Sequence, residues 1–334
     1  MGIVHIVAFL VVFSLVLYII LDGPDLGTGI ILPFIPQERQ TPMIKTIIPF
    51  WDGNEIWLIY ATGLLFVAFP TIYWTAITAL YIPLLLMLFF FVLRGVSFEA
   101  IFKVKHDKKK TLWIGIFSFS SVGVGFAQGV MLATVIFGIN ITDDPFAFSN
   151  DNFLRPVNII SGVVTTIAYA IFGTTWQMYK MEKSFYLGLH KIFQNLLVVI
   201  GITSILVSPV IYSQRPDVAI FILEHKIRLI AIIVLYIVNI GIFCVLFTQK
   251  FQHRILHFLM SIILFIIALV IIVIMMYPYA IAFSHGMYNA PNVAQVDKLV
   301  IIVALCTFPV MFLYTWYVHY ALKCKSSYKL FDTQ

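Results

Sequence analysis

Charge is scarce in this sequence. Asp, Glu, Lys and Arg together make up 11% of its 334 residues, against roughly 25% in an ordinary globular domain. A soluble fold so poor in charge could not cover its own surface. Cysteine is nearly absent too. The three present, Cys244, Cys306 and Cys324, form no C-x-x-C pair, which argues against a disulfide framework or a zinc site. Between Ile56 and Leu93 no residue is charged. Internal repeats and low-complexity segments are lacking. The N-terminal stretch MGIVHIVAFLVVFSLVLYIILDG has no positive n-region and no small-residue cleavage site, so it is expected to be a first span and not a signal peptide. The myristoylation pattern fails because Ile6 stands at its Ser/Thr position.

What fills the sequence instead is apolar. Hydrophobic residues reach 61% and the mean hydropathy is +1.01. Crossing a bilayer takes a helix of roughly 20 apolar residues. On that criterion the chain reads as an all-α integral membrane protein with about nine spans. They are expected near 3–35, 56–75, 77–93, 112–138, 157–177, 192–212, 229–249, 255–277 and 298–322. Residues 1–334 are expected to form a single polytopic membrane domain without a soluble domain. The second and third spans are divided least clearly. Pro70 and the run Thr71, Tyr73, Trp74, Thr75 are expected to make a tight turn between them.

The net charge of +6 could suggest a nucleic-acid partner, but the basic residues sit in short loops between spans and offer no aromatic-rich basic face. They set orientation instead. With the N-terminus outside, 16 of the 21 Lys and Arg residues fall in inner loops, leaving Arg155, Arg215, Lys226, Arg228 and Lys298 outside. The expected topology is N-terminus out, C-terminus in. The basic run Lys103–Lys110 reads as a solvated inner loop. Two outer loops, 140–156 with Asp143, Asp144 and Asp151, and the nearly uncharged 278–297, complete the plan.

Ionisable residues inside apolar spans carry the chemistry, since a carboxylate at a helix centre costs roughly 2.5–3.5 kcal/mol on insertion scales and faces a bundle interior or a water path. Asp22 and Asp25 lie in DGPDLGTG, on one helical face. Gly23, Gly27 and Gly29 there permit close helix approach, and Pro24 is expected to kink the span. A second cluster, WDGNEIW, runs from Trp51 through Asp52, Gly53, Asn54 and Glu55 to Trp57. Asp52 and Glu55 are again three apart. Either they cap a helix flanked by interfacial tryptophans, where the macrodipole favours acids, or they join Asp22 and Asp25 near the inner face. Four carboxylates so placed suit a proton entry path or a cation site equally.

Other polar positions are fewer. In RGVSFE, Arg94 and Glu99 are expected to form an interfacial ion pair. In GVGFAQG, Gly123, Gly125 and Gly129 suit helix packing, and Gln128 is placed to bond across helices. His106, His190, His253 and His257 fall in expected inner loops, with His253 and His257 four apart as a possible metal pair. The bland reading of these is solvated loop histidines. No metal site and no bis-histidyl haem site is evident.

The blocks ILDGPDLGTGIILPF, IIPFWDGNEIWLIYATGLLFVAFPTIY and YIPLLLMLFFFVLRGVSFE, in this order and spacing, resemble subunit II of cytochrome bd-type terminal quinol oxidases. Weaker similarity follows at GVGFAQG, MMYPYAI and FPVMFLYTWYVHY. Two departures are visible: Pro24 stands where the family usually has an aromatic, and Ala61 and Thr62 replace a glycine-rich stretch. The resemblance implies two four-helix bundles plus one peripheral helix in a bacterial inner-membrane protein. It implies a complex that couples quinol oxidation to reduction of oxygen to water in aerobic respiration. The two b-type haems and one d-type or variant haem would sit in a partner, subunit I, and none in this chain. It also implies a heterodimer, with a small third subunit, a bound quinone and lipids left open, and no nucleic acid. The catalytic residues would lie in the partner. Asp22, Asp25, Asp52 and Glu55 would line a polar route from the cytoplasm. The competing class is a cation-coupled secondary transporter, which should show paired broken helices in two related halves. Only one Gly/Pro-interrupted span is visible, near the start.

Overall fold

A computed structural model describes residues 2–137, 153–214, 220, 223–248, 254–276, 279–281, 285–286 and 298–323. The described chain is helical almost throughout: α1 Gly2–Ile31, α2 Gln37–Lys45, α3 Trp51–Ala68, α4 Pro70–Ala79, α5 Tyr81–Lys103 and α6 Asp107–Phe137, then α7 Pro156–Lys180, α8 Lys183–Gln214, α9 Lys226–Thr248, α10 Arg254–Met276 and α11 Lys298–Lys323. A 3₁₀ turn, Leu32–Phe34, follows α1, and two short strands, β1 Tyr279–Ile281 and β2 His285–Gly286, pair antiparallel. The two outer loops singled out in the sequence lie largely outside the described residues, as do His253 and Cys324.

Eight of the described helices are long and apolar enough to cross a membrane. The ninth expected span corresponds to α3, whose 18 residues open on the polar WDGNE. The chain breaks next to Pro70 as expected, but the run Thr71–Thr75 is helical and does not itself form the turn. α3 stops at Ala68, Phe69 takes a non-helical φ of −133° and ψ of 59°, and Pro70 starts the 10-residue helix α4. Proline suits a helix N1 position, where no N–H is needed. Thr75 of the polar-aromatic run bonds back onto its own helix, its hydroxyl donating to the Thr71 carbonyl at 2.9 Å. Pro24 does not interrupt α1, which is assigned as one 30-residue helix.

α7 packs on both α1 and α6; α3 packs on α1 and α5 on α6, while α8 and α10 pack on α7, α9 packs on α10, and α11 lies against α3. Lipid tails are as apolar as leucine, so helices associate in the bilayer through close packing of small residues and through interhelical hydrogen bonds. Both devices are present. α1 and α7 cross at Gly27 and Gly173 in backbone contact: a Cβ on Gly27 would collide with the Tyr169 carbonyl oxygen, and one on Gly173 with the Gly27 carbonyl carbon. Below this crossing the Gln177 carboxamide donates to the Thr28 hydroxyl at 3.0 Å, the Thr46 hydroxyl at 2.8 Å and the Met43 carbonyl at 3.2 Å. The short helix α2 is thereby fastened to α1 and α7. Gln40 secures the same corner by donating to the Leu32 and Ile35 carbonyls, each at 3.0 Å.

Candidate functional site: a buried carboxylate cluster on one arginine

Helix periodicity lays Tyr18, Asp22 and Asp25 along one side of α1, because residues three and four apart share a face. α3 starts beside them and contributes Asn54 and Glu55. α5 brings Arg94 from its C-terminal half. Asp22 and Arg94 have no side-chain exposure at all, and Asp25 has 3%. The Arg94 guanidinium grips Asp22 with both Nη atoms, Nη2 to Oδ1 at 2.6 Å and Nη1 to Oδ2 at 3.0 Å. Tyr18 adds its hydroxyl as a second donor to Oδ2 at 3.0 Å. Two further carboxylates reach the same guanidinium at longer range: Glu55 Oε1 lies 3.6 Å from Nη1 and Asp25 Oδ2 lies 4.0 Å from Nη2.

The hydrogen bonds continue away from the arginine. Asn54 Nδ2 donates to Asp25 Oδ2 at 2.8 Å and to the Leu21 carbonyl at 3.0 Å. Gln128 Nε2 donates to the Tyr18 oxygen at 2.6 Å, and the Tyr169 hydroxyl donates to Gln128 Oε1. One connected set therefore draws on α1, α3, α5, α6 and α7. At the start of α3, Trp51 stacks on Phe98 of α5 with ring centroids 5.1 Å apart. A buried ion pair is tolerated only when desolvation is offset by such geometry and by added hydrogen bonds.

Several sequence expectations change here. Arg94 does not pair with Glu99. It turns inward to Asp22, while Glu99 pairs with Lys103 one turn along the exposed side of α5. A guanidinium in apolar surroundings needs a desolvated counter-ion, and the DGPD carboxylates supply it. Asp52 is exposed and lies outside the buried set, close enough to Glu55 to repel its charge. It is not a cap either, since the N-cap position of α3 is Phe50 and no side-chain cap bond is made. Trp57 is not interfacial. It is fully buried, with its indole N–H donating to the Thr315 hydroxyl of α11 at 3.0 Å. Gly53 supports no close crossing, its nearest neighbour being the Tyr314 ring at 3.7 Å from a built Cβ. By contrast Gly23 packs against the Phe172 ring, and Gln128 does bond across helices.

The histidines also differ. His190 and His257 lie within α8 and α10, not in loops, and their rings meet nearly edge-to-face with centroids 5.8 Å apart. Tyr186 and Phe193 surround them. Among the described residues no group of three or more His, Cys, Asp or Glu side chains is placed to hold a metal ion. The sequence reading missed Tyr18 and Tyr169. Tyr18 had a signal, being one helical turn before Asp22; Tyr169 had none in its own neighbourhood.

Residues 3–322 match the family described as cytochrome bd terminal oxidase subunit II. Among curated relatives, the cytochrome bd ubiquinol oxidase subunit 2 of Bacillus subtilis (strain 168) is 34% identical over 154 residues, 45% of each chain. The cytochrome bd-I ubiquinol oxidase subunit 2 of Escherichia coli (strain K12) is 33% identical over 169 residues, 48% of this chain and 44% of the relative. The aligned stretch thus spans under half the length of these relatives. The solved bd oxidase from Geobacillus thermodenitrificans contains a chain of like fold, with a TM-score of 0.64 over 97% of this chain and 98% of that one, at 11% identity. An all-helical membrane fold of this shape, carrying DGPDLGTG and WDGNE on adjacent helices and matched over nearly its whole length, belongs to the cytochrome bd terminal oxidase subunit II family.

Proposed function

We propose that this chain is the haem-free subunit of a quinol-oxidising, oxygen-reducing membrane complex, and that its Arg94-centred cluster relays protons from the cytoplasm. Partner subunit I would carry the haems and the quinol chemistry, in a heterodimer of the bacterial inner membrane. Reduction of oxygen to water consumes protons, so a reaction centre enclosed by helices needs a polar route to bulk water.

The observation that carries this reading is a gradient of exposure. Asp52 is exposed, the Glu55 side chain is 28% exposed, and Asp25 and Asp22 are 3% and 0% exposed. These acids step inward from the first turn of α3 to the C-terminal third of α1. Asp52 is placed to collect protons at the surface, Glu55 to pass them across the boundary, and Asp25 to receive them inside. Arg94 holds the buried acids in register and offsets part of their charge. Tyr18, Gln128 and Tyr169 extend the hydrogen-bonded set towards α7. With Arg94 buried in α5, 15 of the basic residues still fall in the expected inner loops, which supports this end facing the cytoplasm. A reporter fused after Gln334 tests that orientation: it should be active in the cytoplasm, and periplasmic activity would reverse it.

The relay is tested by Asp52→Asn in the purified complex. Asparagine keeps the size of the side chain but cannot titrate. Quinol-driven oxygen reduction is expected to fall by up to ~10²-fold, within the range of a positioned proton-transfer group, with the haem spectrum unchanged. Full activity at normal haem content would reduce Asp52 to a partner of the α3 dipole. Loss of haem together with activity would make its role assembly.

A further inference from the structure

The three buried or half-buried acids are not equivalent. Asp22 has every strong partner: both Arg94 Nη atoms at 2.6 and 3.0 Å and the Tyr18 hydroxyl at 3.0 Å. Asp25 and Glu55 share the remainder. Their distances to the guanidinium, 4.0 and 3.6 Å, are beyond hydrogen-bonding range. One guanidinium thus faces three carboxylates and neutralises only the one it grips.

Two further charges left on Asp25 and Glu55 would be expensive at this depth, and like-charged carboxylates in one site push a proton onto one of them. The charged groups facing the pair are Asp22 from α1, Asp52 from α3 and Arg94 from α5. None but Arg94 offers a positive charge.

Asn54 supplies an independent observation. It is 1% exposed, and its Nδ2 is committed to Asp25 and Leu21, yet its Oδ1 is buried with no hydrogen-bond donor. A buried acceptor left unmade costs about 1–3 kcal/mol. An ionised carboxylate has no donor to give it; a protonated one has an O–H.

We infer that Asp25 and Glu55 hold a single proton between them, its O–H donated to Asn54 Oδ1, while Asp22 stays ionised as the counter-ion of Arg94. This rests on the relay reading and divides its labour. In the transfer step the proton leaves the Glu55 carboxyl oxygen and joins an Asp25 carboxylate oxygen. One O–H bond breaks and one forms, Glu55 becomes the carboxylate, and the charge of the pair is unchanged. Asn54 is a positioning residue: it adjoins Glu55 on α3 and bonds Asp25 on α1.

The test is infrared spectroscopy of the purified complex in H₂O and D₂O, with oxygen-reduction turnover and haem content measured on the same samples. The wild type should show a protonated-carboxyl C=O band that shifts on deuteration. Either Glu55→Gln or Asp25→Asn should abolish it at neutral pH, since the survivor then faces Arg94 without its like-charged neighbour and ionises. Asn54→Leu should keep the band but move it to higher frequency, because the O–H loses its acceptor. Glu55 is partly exposed, so Glu55→Gln remains informative if Asp25→Asn prevents assembly. A band absent in the wild type, surviving in Glu55→Gln at native haem content, or unmoved in Asn54→Leu would overturn the assignment. If the bands behave as expected while turnover is unchanged in Glu55→Gln, the shared proton stands and the relay reading fails.

Discussion

The two halves of this molecule solve helix packing in the bilayer differently. Around α1, α5, α6 and α7 the interior is polar and tightly specified. An arginine, two aspartates, a glutamine and two tyrosines interlock across helices, and glycines bring backbones into contact. Half or more of the apolar windows of α6 and α7 is buried. Around α9 and α10 the helices are almost purely apolar and mostly face outward, with 6% and 17% of their windows buried. One interhelical bond there is Asn239 Nδ2 to the Leu264 carbonyl at 3.1 Å. The first half is held by features that require particular partners, the second by features most apolar sequences would satisfy. Function should therefore be concentrated in the first half, and so should sensitivity to substitution.

The sharpest way to break this comparison is Arg94→Met. Removing one member of a buried ion pair typically costs about 3–5 kcal/mol because the other charge is left bare. The complex should lose most of its yield and haem content, measured by absorbance of solubilised membranes. Glu99→Gln, five residues along on the exposed side of the same helix, removes only a surface pair with Lys103 worth about 0.3–0.5 kcal/mol and should leave both unchanged. In the second half, Asn239→Leu removes an interhelical hydrogen bond of a kind that averages about 0.6 kcal/mol in membrane helices. Thermal stability of the complex should fall slightly and turnover should hold. A loss of haem from Asn239→Leu as large as that from Arg94→Met would erase the distinction between the halves.

Much of the fold was legible in the sequence because the bilayer imposes it: long apolar runs must be helices, and their lengths and loops follow. The motif acids stood out for the same reason, as costly residues in apolar surroundings. What could not be read was partnership. Arg94 has an acid five positions along the chain, and local sequence favoured that pair. Its actual counter-ion lies 72 positions earlier, on a different helix, and only packing of α5 beside α1 brings them together. Asp52 was grouped with the inner acids by its spacing from Glu55, yet a three-residue step on α3 is enough to separate an exposed side chain from a half-buried one. The break at Phe69 was legible as a turn, but whether Pro70 ends a helix or begins one depends on the φ and ψ of its neighbour, which composition does not determine.

The central claim is that protons for oxygen reduction pass through the acids of α3 and α1, and proton uptake itself tests it most directly. The fully reduced complex, with and without Glu55→Gln, should be mixed with oxygen in a weakly buffered solution containing a pH-sensitive dye. The account predicts that in Glu55→Gln, at wild-type haem content, proton uptake and oxygen reduction slow together. Uptake as fast and as complete as in the wild type would contradict it.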